Sequence, residues 1–325
     1  MSWFSWQIDY LLLLQNFRDF SNHIFDNFFL NVSSFGLTGI TFILLFGIYW
    51  CYNKKIGTFM INCYAFSHLM NVFLKLTFCI YRPWIIDSSV KPVEAAFKTA
   101  PGYSFPSGHT AGATSCWGSC AASFWNNKLI RYSCLAIILL VMFSRNYLGV
   151  HTPQDVIVSF LVGIAIIFGF TKLFKWIEEK EINYSYYITA IALICLFVGS
   201  YIVLKNYPID YVNGEILFDP SGIGFSNVPR VINLFLVMFG CYLERKFINF
   251  DPEEGTIVEK IIRLALGMYI FHLIETNLRA YLGSFLDHNV AKCIAYAICG
   301  IFLTFVYPLF IKAYQVAKIK FKKEV

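Results

Sequence analysis

Charge is scarce in this chain. Asp, Glu, Lys and Arg make up 14% of 325 residues, against 58% hydrophobic residues. A soluble domain carries about 25% charged residues, so an ordinary water-facing globule is excluded. Alternating ten-residue segments, the mark of a transmembrane barrel, are also missing. None of the ten cysteines stands in a CxxC spacing, and most lie in apolar runs. They read as buried packing residues, not as a disulfide or metal framework. The first twenty residues, MSWFSWQIDYLLLLQNFRDF, lack the basic flank and small-residue cleavage site of a signal peptide. No repeat of 20–50 residues and no low-complexity linker is evident. The net charge of +6 does not point to nucleic acid: the basic residues fall in short loops and in the tail KIKFKKEV. That distribution suits anionic lipid headgroups.

What is present is a series of apolar runs near twenty residues, long enough to cross a bilayer. Backbone groups in lipid must be satisfied internally, so the expected class is all-α, a polytopic helical membrane protein. About nine spans are expected, at 35–52, 57–81, 107–125, 131–149, 153–174, 186–204, 228–243, 262–282 and 291–312. Residues 1–34, rich in Trp and Phe but broken by Asp9, Gln15, Arg18 and Asp19, read as an interfacial helical segment. Residues 35–204 form the expected core, and 205–325 the C-terminal membrane helices with their basic tail. With nine spans, Lys54 and Lys55, Lys128 and Arg131, Lys172, Lys175 and Lys180, Arg245, Lys246, Lys260 and Arg263, and the tail lysines 318, 320, 322 and 323 all share one side. By the positive-inside bias that side is the cytoplasm. The N-terminus and loops 82–106, 144–152, 205–227 and 283–290 are then expected outside, and the C-terminus inside. Lys75, Arg82, Lys91, Lys98 and Arg145 stand against the bias. Cations kept where topology disfavours them suggest an anionic partner, with phosphate the obvious candidate.

Three stretches carry the candidate chemistry. The first is KLTFCIYRP, Lys75 to Pro83. Its Lys and Arg, seven apart, are expected on one helix face, with Pro83 ending the helix near Arg82. Alternatively, both are cations snorkelling to an interface. The second is PSGH, Pro106 to His109. Ser107 and Gly108 before an apolar run read as a helix N-terminus, which attracts anions through its free N–H groups. Gly108 permits close approach. An ordinary helix start with an incidental His109 is the bland alternative. The third is SRNYLGVHTPQD, Ser144 to Asp155. Thr152 is a plausible N-cap with Pro153 at the first helical position. Asp155 then suits the first turn, and it can also turn back to His151, fixing the tautomer and freeing the other ring nitrogen as a nucleophile. Arg145 is either an interface cation or a fork for phosphate oxygens. Under the expected topology all three stretches meet at the outer surface.

Lys75, Arg82, Pro83, Pro106, Ser107, Gly108, His109, Ser144, Arg145, His151 and Asp155 together resemble the three-part signature of the type 2 phosphatidic acid phosphatase superfamily. Its branches include lipid phosphate, sphingosine-1-phosphate and polyprenyl diphosphate phosphatases, glucose-6-phosphatase and vanadium haloperoxidases. The resemblance covers 75–155 and implies a six-helix core, with the last three spans outside it. It implies metal-independent, cofactor-free hydrolysis of a phosphomonoester. His151 would form a phosphohistidine, Asp155 would orient it, and His109 would protonate the leaving oxygen and then activate water. Lys75, Arg82, Arg145, Ser107 and the Gly108 N–H would bind the phosphate. His109 protonated and His151 neutral imply a bell-shaped pH profile.

A phosphorylated lipid is the first expected substrate, since the site would lie at a headgroup interface among membrane lipids. A sugar phosphate is the alternative, through the glucose-6-phosphatase branch. Loops 84–105 and 205–227 are candidate covers for the site. The site would face the periplasm or exterior in a bacterium, and the lumen of the endoplasmic reticulum in a eukaryote. Haloperoxidase chemistry is disfavoured by the nine spans. A non-catalytic transporter or scaffold is the reading of another class. It draws on His272, Glu275 and Arg279 in span eight, which either mark a pathway or contain a Glu275–Arg279 ion pair.

Overall fold

The computed structural model describes residues 5–37, 39–97, 100–212 and 214–324, without the side chains of 322–324. Lys98 therefore lies outside the described residues, as do the side chains of Lys322 and Lys323. The helices run α1 Ser5–Phe20, α2 Asp26–Ser34, α3 Gly39–Cys51, α4 Lys54–Phe78, α5 Pro83–Ile86, α6 Glu94–Phe97, α7 Gly108–Ser123, α8 Lys128–Tyr147, α9 Pro153–Glu179 and α10 Tyr184–Leu204. A short hairpin, β1 Tyr211–Val212 and β2 Glu215–Ile216, precedes α11 Ile223–Leu243, α12 Ile257–Leu273, α13 Arg279–Gly283, α14 His288–Ile301 and α15 Tyr307–Glu324. Seven described segments are long and apolar enough to cross a membrane. The expected spans 107–125 and 262–282 correspond to α7, with 16 residues, and to α12, whose 17 residues pass through a π turn into α13.

The chain divides into two compact units. The first comprises residues 1–41, 66–169 and 204–224, and the second 42–65, 170–203 and 225–325. Lipid tails are as apolar as leucine, so helices in a membrane gain little from hydrophobic burial and cohere through close packing and hydrogen bonds. Both units show this. In the first, α7 is almost wholly buried and, apart from His109 and Trp117, consists of small residues. Its serines return their hydroxyls to the preceding turn, Ser115 to Ala111 O at 2.7 Å and Ser123 to Ser119 O at 2.9 Å. No methyl group fits where α7 meets the segment after α2: a Cβ on Gly112 would stand 1.9 Å from Gly36 O, and one on Gly36 2.3 Å from His109 O. α1 buries Ile8, Leu11 and Leu14 and leaves Trp6, Leu13, Phe17 and Phe20 exposed. Polar pairs fasten it. Gln7 and Gln154 exchange bonds at 3.1 and 3.3 Å, and buried Arg18 donates to Tyr147 O at 3.0 Å and to Lys91 O.

In the second unit, Trp50 and Tyr307 lie 4.6 Å apart between ring centroids. Trp50 Nε1 donates to Leu303 O at 3.1 Å, and Arg263 Nη1 caps the Trp50 carbonyl at 2.8 Å. The Glu275–Arg279 ion pair does not form: no salt bridge joins them among the described residues, and Arg279 instead approaches His288 Nε2 at 3.4 Å. Residues 274–278 form a π turn.

Candidate active site

The first unit brings the three singled-out stretches together. α4 ends at Phe78, with Lys75 in its last turn. Cys79 then takes a left-handed backbone (φ 51°), and residues 79–82 run non-helically into α5. The expectation that Lys75 and Arg82 share a helix face is therefore corrected: the helix stops before Arg82, and the two converge through the reversal at Cys79. Lys75 Nζ donates to Tyr103 O at 2.9 Å and Ser104 O at 2.8 Å. Arg82, 3% exposed, spends its fork on one strand of chain, with Nε to Gly102 O at 3.0 Å and Nη2 to Pro101 O at 2.9 Å. Its Nη1 reaches Val150 O at 2.9 Å and His151 Nε2 at 3.1 Å.

Ser107 is the N-cap of α7, its hydroxyl accepting from Thr110 N at 3.4 Å. Asn71 Nδ2 holds the Pro106 carbonyl at 3.1 Å. Two bonds tie this helix start to that of α9, Ser107 N to Asp155 O at 3.1 Å and Ser159 Oγ to Ser107 O at 2.9 Å. His109 is buried in the first turn, and among the described residues its ring takes no hydrogen bond. Gly108 follows the cap, near the Asn71 side chain. Arg145, in the last turn of α8, is fully buried and donates from Nη1 to Ser33 Oγ at 2.6 Å. Asn146 Nδ2 holds the His151 carbonyl at 2.8 Å.

His151 sits between α8 and α9, 2% exposed. Its Nδ1 lies 3.1 Å from Asp155 Oδ2. The same oxygen accepts from Thr152 N at 2.9 Å and from Ser104 Oγ at 2.5 Å. Asp155 thus fills both expected roles at once, helix-start carboxylate and partner of His151. The tautomer follows from the neighbours. A guanidinium only donates, so Nε2 facing Arg82 must carry its lone pair, and Nδ1 carries the proton given to Asp155. Burial holds the ring's pKa well below the ordinary histidine value, reinforced by Arg82, Arg145, Lys75 and His109. His151 is therefore neutral at pH 7. Three cations gathered about one carboxylate leave a formal surplus of two positive charges. That excess of positive charge favours a bound anion.

Sequence reasoning missed Ser104, Asn71, Ser159 and Arg18. Ser104 stands two residues before Pro106 inside an aromatic run, and nothing local marks it as the partner of a carboxylate 51 positions away. Part of the expected cover segment 205–227 lies beside the site residues. In the first unit, Tyr81 OH donates to Asp210 Oδ2 at 2.7 Å, and Phe218 packs on Tyr103 at 4.9 Å. This hangs the hairpin loop on the segment that bears Arg82 and Ser104.

Residues 56–179 match the PAP2 superfamily, and residues 234–318 match the transmembrane extension of PAP2 superfamily phosphatases. The chain belongs to the PAP2 superfamily. All the candidate site residues fall within the PAP2 match, and the extension marks an integral membrane protein. Among curated proteins, this PAP2 chain is similar to glucose-6-phosphatase catalytic subunit 1 of the cat, 26% identical over 195 residues, 52% of this chain and 54% of the relative. The mouse protein of the same name is 27% identical over the same extent. Lipid A 4'-phosphatase of Porphyromonas gingivalis is 25% identical over 131 residues, 40% of this chain and 55% of that one. The chain spans about half the length of the curated relatives it matches. No solved structure matches it significantly.

Proposed function

We propose that this PAP2 chain is a membrane phosphatase that hydrolyses a phosphate monoester through a phosphohistidine, with a phosphorylated lipid as substrate. The observation that carries the reading is the ring of His151, whose Nδ1 lies 3.1 Å from Asp155 Oδ2 and whose Nε2 lies 3.1 Å from Arg82 Nη1. A neutral imidazole held in that tautomer presents a lone pair inside a cluster of cations.

The steps follow. Phosphate enters among Lys75, Arg82, Arg145, the Ser107 hydroxyl and the Gly108 N–H, and Nε2 exchanges its contact with Arg82 for one with phosphorus. The Nε2 lone pair forms the P–N bond as the P–O bond to the leaving group breaks. His109 gives the leaving oxygen its proton, and Asp155 stabilises the cationic ring. Water then loses a proton to His109 and attacks phosphorus; the P–N bond breaks and its electrons return to His151. Such chemistry depends mainly on positioning and on charge stabilisation of the equatorial oxygens. The cations supply that charge, which supports a reaction independent of metal.

The distribution of Lys and Arg favours a site on the extracytoplasmic side. The exposed aromatics of α1 and the rings of Tyr81, Tyr103 and Phe218 beside the site favour an amphiphilic leaving group. A sugar phosphate is the second reading, favoured by the similarity to glucose-6-phosphatase catalytic subunits. Released phosphate, measured on the reconstituted protein over a panel of lipid monophosphates and hexose phosphates, separates the two. His151→Ala should abolish turnover of every active substrate, and trapping with radiolabelled substrate should leave acid-labile, base-stable label on the wild type alone. Turnover that survives His151→Ala would sink the nucleophile assignment. Activity lost fully on chelation would sink the metal-independent scheme.

A further inference from the structure

The second unit holds a pair of cations that its own carboxylates do not neutralise. α11 ends in a π turn, Glu244–Ile248, stopped at Asn249 with φ 47°. Single π turns inside α-helices are rare, yet frequent at functional sites. Glu244, 1% exposed, braces this one from inside. Its carboxylate takes Lys54 Nζ at 3.3 Å, Phe250 N at 3.1 Å and Tyr49 OH at 3.4 Å. Lys54 also reaches Asn249 Oδ1 at 2.6 Å. The charge of Glu244 is thus answered within the fold. The next two residues, Arg245 and Lys246, are exposed, and neither forms a salt bridge among the described residues.

Arg245 lies over the Tyr184 ring at 4.5 Å, and Lys246 Nζ is 3.5 Å from Tyr242 OH. Around them opens a cavity of about 330 Å³, lined by Asn183, Tyr184, Ser185, Tyr242, Arg245 and Lys246. It offers two cations, two phenols, a hydroxyl and an amide, with no acid. The Asn183 side-chain oxygen is engaged by Ser185 N at 3.0 Å, which turns its NH₂ to donation. An adjoining cavity of about 340 Å³ shares Tyr184 and Arg245 with it and contains Glu178 and Glu244, whose carboxylates pair with Lys55 and Lys54. The lining matches the acceptor-rich oxygens of a phosphate. Depth identifies the source. The cavity stands where two apolar segments, Tyr184–Leu204 and Ile223–Ile248, reach their ends. Exposed Trp176, Tyr186 and Phe247 adjoin it in sequence, and such rings concentrate at headgroup level.

We infer that this cavity binds the phosphate of an anionic phospholipid headgroup, with Arg245 and Lys246 as counter-ions and Tyr242, Ser185 and Asn183 as hydrogen-bond donors. The site is separate from the proposed catalysis and does not depend on it. Full-length protein in nanodiscs of phosphatidylcholine, with or without phosphatidylglycerol, provides the test; a phosphodiester probe is not a monoester substrate. Melting temperature and lipids retained in native mass spectrometry are read together. Phosphatidylglycerol should raise the melting temperature of the wild type and stay bound. Arg245→Gln/Lys246→Gln should melt as the wild type does in phosphatidylcholine alone, yet bind phosphatidylglycerol roughly 25-fold more weakly, at the value usual for two headgroup-level cations. Lys172→Gln/Lys175→Gln removes as much charge from exposed positions of α9 and should keep the response. If the first pair fails to fold, Ser185→Ala/Tyr242→Phe, which keeps the charges, should still weaken retention. Undiminished phosphatidylglycerol binding in the cavity variants overturns the proposal, as does equal loss in the α9 control. So does a stabilisation by inorganic phosphate alone that the Arg245/Lys246 change abolishes, because the cavity would then take the free anion.

Discussion

At the scale of single residues, the site turns on which atoms donate. His151 faces a guanidinium on one side and a carboxylate on the other. Protonating Nε2 would set two donors against each other beside Arg82. The folded state therefore binds fewer protons at this ring than the unfolded chain does, in line with its lowered pKa. The sign follows: the stability contributed by neutral His151 is present above the unfolded pKa of about 6.5 and is lost as pH falls from there through the folded value. The proposed reaction needs the same neutral form. The acidic limb of kcat/KM against pH should accordingly have its midpoint below about 6.5, and a midpoint above that would contradict the assignment. Ser104 gives a second expectation. Its hydroxyl donates to Asp155 Oδ2 at 2.5 Å, and a hydrogen bond to a charged group contributes about 1.5–3 kcal/mol. Ser104→Ala should lower kcat about tenfold to a hundredfold with KM little changed, and Ser104→Thr should recover part of it. A KM effect alone would mean that Ser104 binds substrate instead.

At the scale of elements, the site is a junction of helix ends. The end of α4, the start of α7, the end of α8 and the start of α9 each deliver one or two of its groups. Bonds between ends, such as Ser107 N to Asp155 O, fix their relative positions more firmly than any loop would. The close approach of α7 to the segment after α2 depends on Gly112 and Gly36. Gly112→Val would drive a methyl-bearing carbon into Gly36 O, which stands 1.9 Å from the added Cβ. Overpacking of this kind costs on the order of 1–3 kcal/mol. The variant should melt several degrees lower in detergent and lose activity, since Gly36 also abuts the His109 backbone. The polar clasp of α1 is a milder case. Arg18→Met removes the bonds to Tyr147 O and Lys91 O while keeping apolar bulk. Faster proteolysis of the 87–106 segment with an intact melt of the remainder is the expected outcome.

At the scale of the whole molecule, the chain combines a PAP2 domain with a transmembrane extension. The proposed orientation puts Lys54, Lys128, Lys172 and Lys260 on one side of the membrane and the 205–222 segment on the other. Cysteines introduced singly at Glu215 and Lys175, in a background freed of native cysteines, should react oppositely with an impermeant thiol reagent added to sealed cells. Labelling of both from outside would refute the assigned topology.

The sequence by itself determined the helical membrane class, the positions of most helices and the identity of the three chemical stretches. Those signals are local: an apolar run near the bilayer's thickness, a serine before a helix, a proline at its first position. The resemblance then named the family that residues 56–179 and 234–318 match. Other features were out of its reach. The break at Cys79, which separates Lys75 from Arg82, looks in sequence like more helix. The π turns at Glu244–Ile248 and Ile274–Leu278 leave no mark in composition. The choice of Nε2 as the bare nitrogen, and of Ser104 as a donor to Asp155, rests on partners 69 and 51 positions apart. Only tertiary packing decides such pairs, because a buried polar group bonds to whichever partner the fold brings within about 3 Å.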